Sequence, residues 1–551
     1  MKKNDPFIKL CSSIFILVFI ISIKGIAQSD SYSTLDSLDS KYINWYNLSP
    51  KKDKVQGAEV DRTYKELIGG KKPKKKIIVA IIDSGVDINH PDLEGRIWTN
   101  PNEIKGNKID DDNNGYADDI HGWGFLGNSK GENIEHENIE EIRIYRDFHP
   151  IFKDISSADL LPENQRNDYQ IYLKCKEKYD NEFTRYSKMK KNLDILEENL
   201  EYTEGVIKEY LNVDAFTQKD LKKIKDAPKR VMDSKEYLQN LYKNDFSKEM
   251  LYELKEHVNE QLSYNYNIDF QPRPIINDNP NDINDKNYGN NDVKGPRPDH
   301  GTPVSGIIAA VRNNNTGIDG IAENVELMVL RVVPNGDERD KDVALAIRYA
   351  VDNGANIINM SFGKNFSPHK DFVDEAIMYA EAHNVLLIHA AGNSSEDIDK
   401  TERYPSQRLN NGDYCQSWIT VGANAYKLNK KLCGNFSNFG KSHVDIFAPG
   451  VDVVSLSPGN KYIKTDGTSF SGPVVSGVAA LIWSYFPELT AIELKEILLQ
   501  SGTNYADKKV YQPGSTRKNK IKVKFSDLSK TGSIINAYEA FKLAGQKTLN
   551  E

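Results

Sequence analysis

Apolar positions along the chain fall into two textures. The first is a set of short unbroken runs. "IIVAIID" (77–83) is apolar until its closing carboxylate, Asp83. A run of that length without polar alternation predicts a parallel strand buried on both faces. The same texture recurs in "VELMVLRVV" (325–333), "GANIINMSFG" (354–363), "NVLLIHAAGN" (384–393), "SWITVGA" (417–423) and "VDIFAPG" (444–450). Residues 340–353, 371–383, 471–485 and 490–501 instead repeat their apolar positions at helical spacing. "TGSIINAYEAFKLA" (531–544) reads as a strand or turn leading into a terminal helix. Strand–helix alternation of this kind predicts an α/β fold, a three-layer doubly wound and mostly parallel sheet.

The second texture interrupts the first. Residues 134–272 are rich in Lys, Glu, Asn and Tyr. Within them Leu193, Leu196, Leu200, Ile207 and Tyr210 recur at heptad-like spacing, and Leu221, Ile224, Val231, Leu238 and Leu241 form a second series. Two or three long amphipathic helices explain both series. The repeat is too short and irregular for a coiled coil. "NDNPNDINDKNYGNND" (277–292) is a turn-rich return to the core. The expected organisation is a signal peptide (1–27), an N-terminal extension (28–72), the first part of the α/β domain (73–133), a charged helical insertion (134–272) and the second part of the α/β domain (273–546).

Composition sharpens this picture in three places. Charged residues make up 28 % of the 551 positions and apolar ones 38 %, and the insertion accounts for much of that charge. A net charge of −8 argues against a nucleic-acid partner, which calls for a basic field. At the N-terminus, Lys2, Lys3 and Lys9 precede "LCSSIFILVFIISI" and then Gly25 and Ala27. This is the pattern of a secretory signal cut after Ala27. A membrane anchor is the other reading, but the run is shorter than the roughly 20 residues a span requires. After cleavage no stable membrane span is expected, and the product would be periplasmic, attached to the cell envelope or extracellular. Cys415 and Cys433 either pair in an oxidising compartment or are two buried thiols.

Candidate chemistry gathers at strand ends and helix starts. Asp83 closes the first run in "IIDSGVDINHPDL", His300 opens "HGTPVSGIIAAV", and Ser469 opens "GTSFSGPVVSGVAALIW". Singly, each has a plain structural role: a cap, a buried imidazole, a helix N-cap. Together, at the carboxyl ends of a parallel sheet, they are the parts of a nucleophilic triad. The order Asp, His, Ser is itself one of the known triad orders. Separately, "DDDNNGYADD" spaces Asp110, Asp112, Asn114 and Asp118 around Gly115 like the oxygen ligands of a calcium loop, although position twelve is His121 and not a glutamate. The alternative is a solvated Asx-rich turn.

The three blocks around Asp83, His300 and Ser469 resemble the signature blocks of the subtilisin-like serine peptidases. The resemblance covers roughly residues 73–125 and 290–545. It implies that Ser469 is the nucleophile, His300 the base and Asp83 its orienting carboxylate. It places Asn393, in "HAAGNSS", as the side-chain donor of the oxyanion hole. It assigns Ser361, Phe362 and Gly363, with Ala390, Ala391 and Gly392, to the segments that bind an extended peptide. It also suggests a second structural calcium at Asp92 and Asn314, with no cofactor for catalysis itself.

The chain departs from the family pattern in several ways. Phe470 stands where a methionine is usual and Ser471 where an alanine is. Pro303 replaces a common histidine. More than 200 positions separate Asp83 from His300, where the family has a short link. About 50 residues lie between Ala27 and the first strand, too few for the usual folding propeptide. The expected function is that of an exported endopeptidase acting on proteins or peptides. A maturation peptidase selective for one partner and a catalytically silent binding protein on the same scaffold are the alternatives. The insertion or the extension is expected to modulate access to the site. Oligomeric state is not legible.

Overall fold

The structure, a computed structural model, describes residues 34–244 and 246–549. The signal-peptide reading of residues 1–27 lies outside them. The chain divides into two compact units, one holding Glu141–Phe270 and the other Ser31–Glu140 with Gln271–Glu551.

The larger unit is built on a mostly parallel sheet, nine-stranded among the described residues. Its strands are β1 (Ile77–Asp83), β2 (Gly122–Gly124), β3 (Val325–Arg331), β4 (Ile357–Met360), β5 (Leu386–Ala390), β6 (Trp418–Asn424) and β7 (Ile446–Pro449), completed by two short strands near the C-terminus. β8 (Val453–Ser457) and β9 (Lys461–Thr465) form an antiparallel hairpin of their own. β10 (Thr503–Asn504) belongs to the main sheet, β11 (Lys509–Tyr511) and β12 (Lys522–Lys524) pair with each other, and β13 (Ser533–Ile534) rejoins the main sheet. The main order is β10-β13-β7-β6-β5-β4-β1-β3-β2, in which β10 alone runs antiparallel to its neighbour. β1 therefore lies between β3 and β4 and pairs with both in parallel register.

Alternation along β1 splits the core into two layers. Ile77, Val79 and Ile81 face one apolar cluster and Ala80 and Ile82 the other. The first cluster takes α1 (Gly301–Ala309). The second takes α2 (Asp340–Asp352) and α3 (Lys370–Ala382). The first also takes α4 (Thr468–Tyr485), α5 (Ala491–Gln500) and α6 (Ala537–Leu549). Helices on both faces of a parallel sheet make the expected three layers. Helix α4 is buried along its whole length, which explains why its sequence is apolar all round.

The N-terminal extension is part of this core. Trp45 and Tyr46 are fully buried in the first cluster. Trp45 Nε1 donates to the Asp452 carbonyl at 3.0 Å, and Tyr46 Oη and Asn47 Nδ2 both donate to the Asp319 carbonyl. Trp45→Ala should therefore cost about 3–5 kcal/mol, the usual result of emptying an aromatic site that cannot collapse. A fall in the urea midpoint with the site chemistry intact at 25 °C is the expected result.

The chain leaves the sheet unit at Glu140 and re-enters near Arg273, and both points are held by buried ion pairs. Lys364 Nζ lies 2.6 Å from Glu140 and 2.8 Å from Asp340. Arg273 binds Asp278 at 2.8 Å and also Asp342. Asp340 and Asp342 both stand in the first turn of α2, so one helix N-terminus anchors both ends of the excursion.

The smaller unit is helical. Its longest helix, Glu163–Leu211, has 49 residues and buries Tyr186, Met189, Leu193, Leu196, Leu200 and Ile207. Helices Lys229–Lys243 and Lys248–Glu260 bury Leu238, Leu241, Leu251 and Leu254. The helical excursion read from the apolar spacing is thus present. None of the described helices is long and apolar enough to cross a membrane. Cys415 and Cys433 are buried free thiols and are not paired with each other. Burial pushes the Cys415 thiol up to about 12.

Candidate active site

Asp83 sits at the carboxyl end of β1 and is 1 % exposed. Its carboxylate accepts from the Ser84 backbone N–H at 2.7 Å and from His300 Nδ1, at 2.8 Å to Oδ1 and 3.0 Å to Oδ2. His300 is the residue preceding α1. Gly301, next to it, has no room for a side chain. A Cβ there would lie 2.2 Å from the Gly85 carbonyl oxygen and 3.3 Å from Asp83 Cβ. That close approach is what lets the imidazole reach the buried carboxylate.

Ser469 is the second residue of α4. Its hydroxyl donates to the Ser361 carbonyl at 3.1 Å, and the Ser361 hydroxyl donates back to the Ser469 carbonyl at 2.9 Å. The return bond has a cause in the sequence. Pro473 lies four residues on, inside the helix, and has no N–H to give to the Ser469 carbonyl. Ser361 fills that vacancy. Ser361 is positioned in turn by Asn359 Nδ2, 3.0 Å from its Oγ, and Asn359 Oδ1 accepts from Ser476 at 2.8 Å. The end of β4 and the start of α4 are thereby tied together at the nucleophile.

Asn393 is oriented by Thr468. Its Oδ1 accepts from the Thr468 backbone N–H at 2.9 Å and from the Thr468 hydroxyl at 2.8 Å. A backbone N–H can only donate, so the amide orientation is fixed and Nδ2 carries the outward donors. Gly392 N–H donates to the same Thr468 hydroxyl at 3.0 Å. Asn438 completes the turn: its Nδ2 donates to the Ala391 carbonyl at 2.9 Å.

Ser361, Asn393, Asn438, Thr468 and Ser469 line one cleft of about 230 Å³, and His300 borders another. Ser361, Phe362 and Gly363 line it together with Ala390, Ala391, Gly392, Asn393 and Ser469. His389 and Arg403 line it as well. Burial holds the His389 imidazole down at about 4, so at neutral pH it is uncharged and its Nε2–H donates to the Phe362 carbonyl at 2.8 Å. Phe470 lies against the base, its ring centroid 5.7 Å from that of His300.

The structure therefore brings together Asp83 with His300, Ser469 with Ser361, and Asn393 with the cleft. Sequence reasoning missed Thr468, Asn359 and Arg403. Pro473 was the available signal for the Ser361–Ser469 exchange. Arg403 has no motif around it.

The acidic loop differs in detail from its expected spacing. Asp110 accepts from the Asn114 and Gly115 backbone N–H groups, and Asp118 from Gly106 and Lys108. Those two carboxylates shape the loop. The oxygens that converge belong to Glu103, Asp112 and Asp119, all within 4.8 Å of one another. Asn114 Nδ2 bridges Asp112 and Asp119 at 3.2 and 3.0 Å. Burial raises the Glu103 and Asp119 carboxyls above their usual range. Elsewhere Asp92 and Asn314 do meet, but Asn314 Nδ2 donates to Asp92 Oδ1 at 3.0 Å and Ile318 N–H satisfies Oδ2 at 2.9 Å.

Comparison with known proteins supplies the context. The model of the Subtilase family matches residues 74–515. Subtilisin DY of Bacillus licheniformis is 36 % identical over 219 residues, 39 % of this chain and 74 % of that protein. A thermophilic serine proteinase of Bacillus sp. (strain AK1) is 39 % identical over 187 residues, 34 % of this chain but only 42 % of its own length. Among solved structures, a chain of the subtilase cytotoxin SubAB assembly is 27 % identical, covering 45 % of this chain and 77 % of its own, with a TM-score of 0.38.

Proposed function

The chain belongs to the subtilase family, and on that premise we propose that it is an exported serine endopeptidase working through Asp83, His300 and Ser469. The observation that carries the reading is the Asp83–His300 contact, with the His300 ring packed against Phe470, the residue after Ser469, whose cleft also holds Asn393. Asp83 holds Nδ1 of the imidazole, which leaves Nε2 as the proton acceptor. For reaction the Ser469 hydroxyl exchanges the Ser361 carbonyl for that nitrogen. Its oxygen then attacks the peptide carbonyl, and the proton passes by way of His300 to the leaving amine. Water repeats the sequence on the acyl-enzyme. The developing oxyanion is met by the Asn393 amide and by the Ser469 backbone N–H at the α4 N-terminus. Protein or peptide chains are the substrates.

A fluorophosphonate probe tests the reading. Labelling of the folded protein, together with cleavage of a denatured protein substrate, is the expected result. A folded chain that takes no label at Ser469 would refute it.

Two further outcomes follow from the same site. Phe470 replaces an oxidisable thioether beside the base. Hydrogen peroxide at concentrations that oxidise exposed methionines should leave the initial rate unchanged, whereas Phe470→Met should make the rate peroxide-sensitive. The second concerns calcium, proposed here as a structural ion held by Asp112, Asp119 and Glu103. Among the described residues these three carboxylates have no cationic side chain in ion-pair range, and hard oxygen donors suit calcium. The ion takes no part in the chemistry. Calcium at about 100 times its dissociation constant should add about 2.7 kcal/mol. That gain should appear as a raised melting temperature and be lost in Asp112→Asn.

A further inference from the structure

The cleft beside Ser469 is walled mostly by backbone and small side chains, and one group in it does not fit that description. Arg403 lines the cleft together with Ser361, Gly363, Ala391 and Ser469. No aspartate or glutamate is among the described residues lining it, and the other ionisable side chain there, His389, is uncharged at neutral pH. The cleft therefore presents a single full charge, and it is positive.

Arg403 is not saturated where it stands. A guanidinium has five N–H donors. One Nη2 donor reaches Glu396, which lies outside the cleft lining. Nε–H is buried with no acceptor at all. The arginine side chain is 18 % exposed and Glu396 38 % exposed, so the partner carboxylate keeps much of its water while the guanidinium has lost most of its own. A buried donor without an acceptor is a standing cost, and of the Nη donors only one has a partner among the described residues, Glu396, which leaves the others for a ligand oxygen.

We infer that Arg403 makes this cleft selective for a carboxylate side chain, so that the enzyme cuts after glutamate or aspartate. The inference rests on the peptidase reading above, because the cleft selects the residue whose carbonyl Ser469 attacks. An apolar side chain entering the cleft would strip water from the guanidinium and return nothing. A lysine would meet like charge. A carboxylate would take the open edge of the fork in charge-assisted hydrogen bonds, the geometry for which arginine is suited. Glu396 then has a defined role: it holds the guanidinium in place when no substrate is present and competes with the incoming carboxylate.

The test uses the full chain and four peptide substrates identical except for Glu, Gln, Phe or Lys at the position before the cut. The expected result is a kcat/KM for Glu at least about tenfold above that for Gln, with Lys lowest. Arg403→Gln should erase the Glu-over-Gln ratio while leaving fluorophosphonate labelling of Ser469 intact. Glu396→Gln should widen the ratio by removing the competitor. Wild-type enzyme that takes the label but cuts after Gln or Phe as fast as after Glu would overturn the inference and leave the peptidase reading standing. An unchanged ratio in Arg403→Gln would also overturn it. Failure of the wild type both to take the label and to cut any peptide would overturn the peptidase reading, and the inference with it.

Discussion

Ser469→Ala should lower kcat by about a million-fold, the scale of the same loss in a subtilisin, with little change in KM. The argument is geometric. The hydroxyl is the side-chain group that Ser469 brings to the cleft, and the backbone that carries it is fixed independently. The Ser361 hydroxyl holds the Ser469 carbonyl because Pro473 cannot, so removing Oγ leaves the helix start where it was. His300→Ala should cost nearly as much, and the double variant no more than either single one, because base and nucleophile act as a unit. Single-turnover kinetics on one peptide measure all three. Additive losses would mean that His300 and Ser469 work separately, and the triad assignment would fail.

Asn393→Ala should lower kcat by about 100- to 1,000-fold, again the scale known for such a donor in a subtilisin, and leave KM within a small factor. The amide is held through its oxygen by Thr468, so its nitrogen is preset toward the cleft at no cost in the transition state. Thr468→Val separates holding from donating. It deletes one of the two bonds to Oδ1 and the acceptor for Gly392 N–H, yet leaves the amide present. Its loss in kcat should fall between wild type and Asn393→Ala. A Thr468→Val enzyme as slow as Asn393→Ala would show that orientation, rather than the amide group itself, accounts for the whole effect.

How much of this was legible in the sequence depends on what kind of signal each element leaves. β1, β3 and β6 were readable nearly to the residue because strands buried on both faces spell continuous apolar runs. The β8–β9 hairpin was not, because its strands of five residues mix polar and apolar positions around "SPGNK". β2 has three residues, "GWG", and forms because Gly122 allows contact with β3: a Cβ there would lie 1.9 Å from the Val329 carbonyl oxygen. Nothing local announces that. At the site, Asp83, His300, Ser469 and Asn393 stand in long motifs and were found. Arg403 reaches the cleft only through the fold. The acidic loop shows the same limit from the other side. Spacing picks out Asp110, Asp112, Asn114 and Asp118, but of these only the Asp112 carboxylate joins the converging oxygens, and Glu103 enters from outside the motif.

The position of β1 in the sheet also sets a timetable. Both of its neighbours, β3 and β4, follow the helical excursion. During synthesis "IIVAIID" therefore waits for Val325, 248 positions after Ile77, before it can form a ladder. At 5–20 residues per second that is a delay of roughly 12–50 s. The thermodynamic toll of the detour is small, since loop-closure entropy rises only by about 0.6 kcal/mol per doubling of length. The kinetic toll is larger: an apolar segment without a sheet partner is open to aggregation throughout that interval.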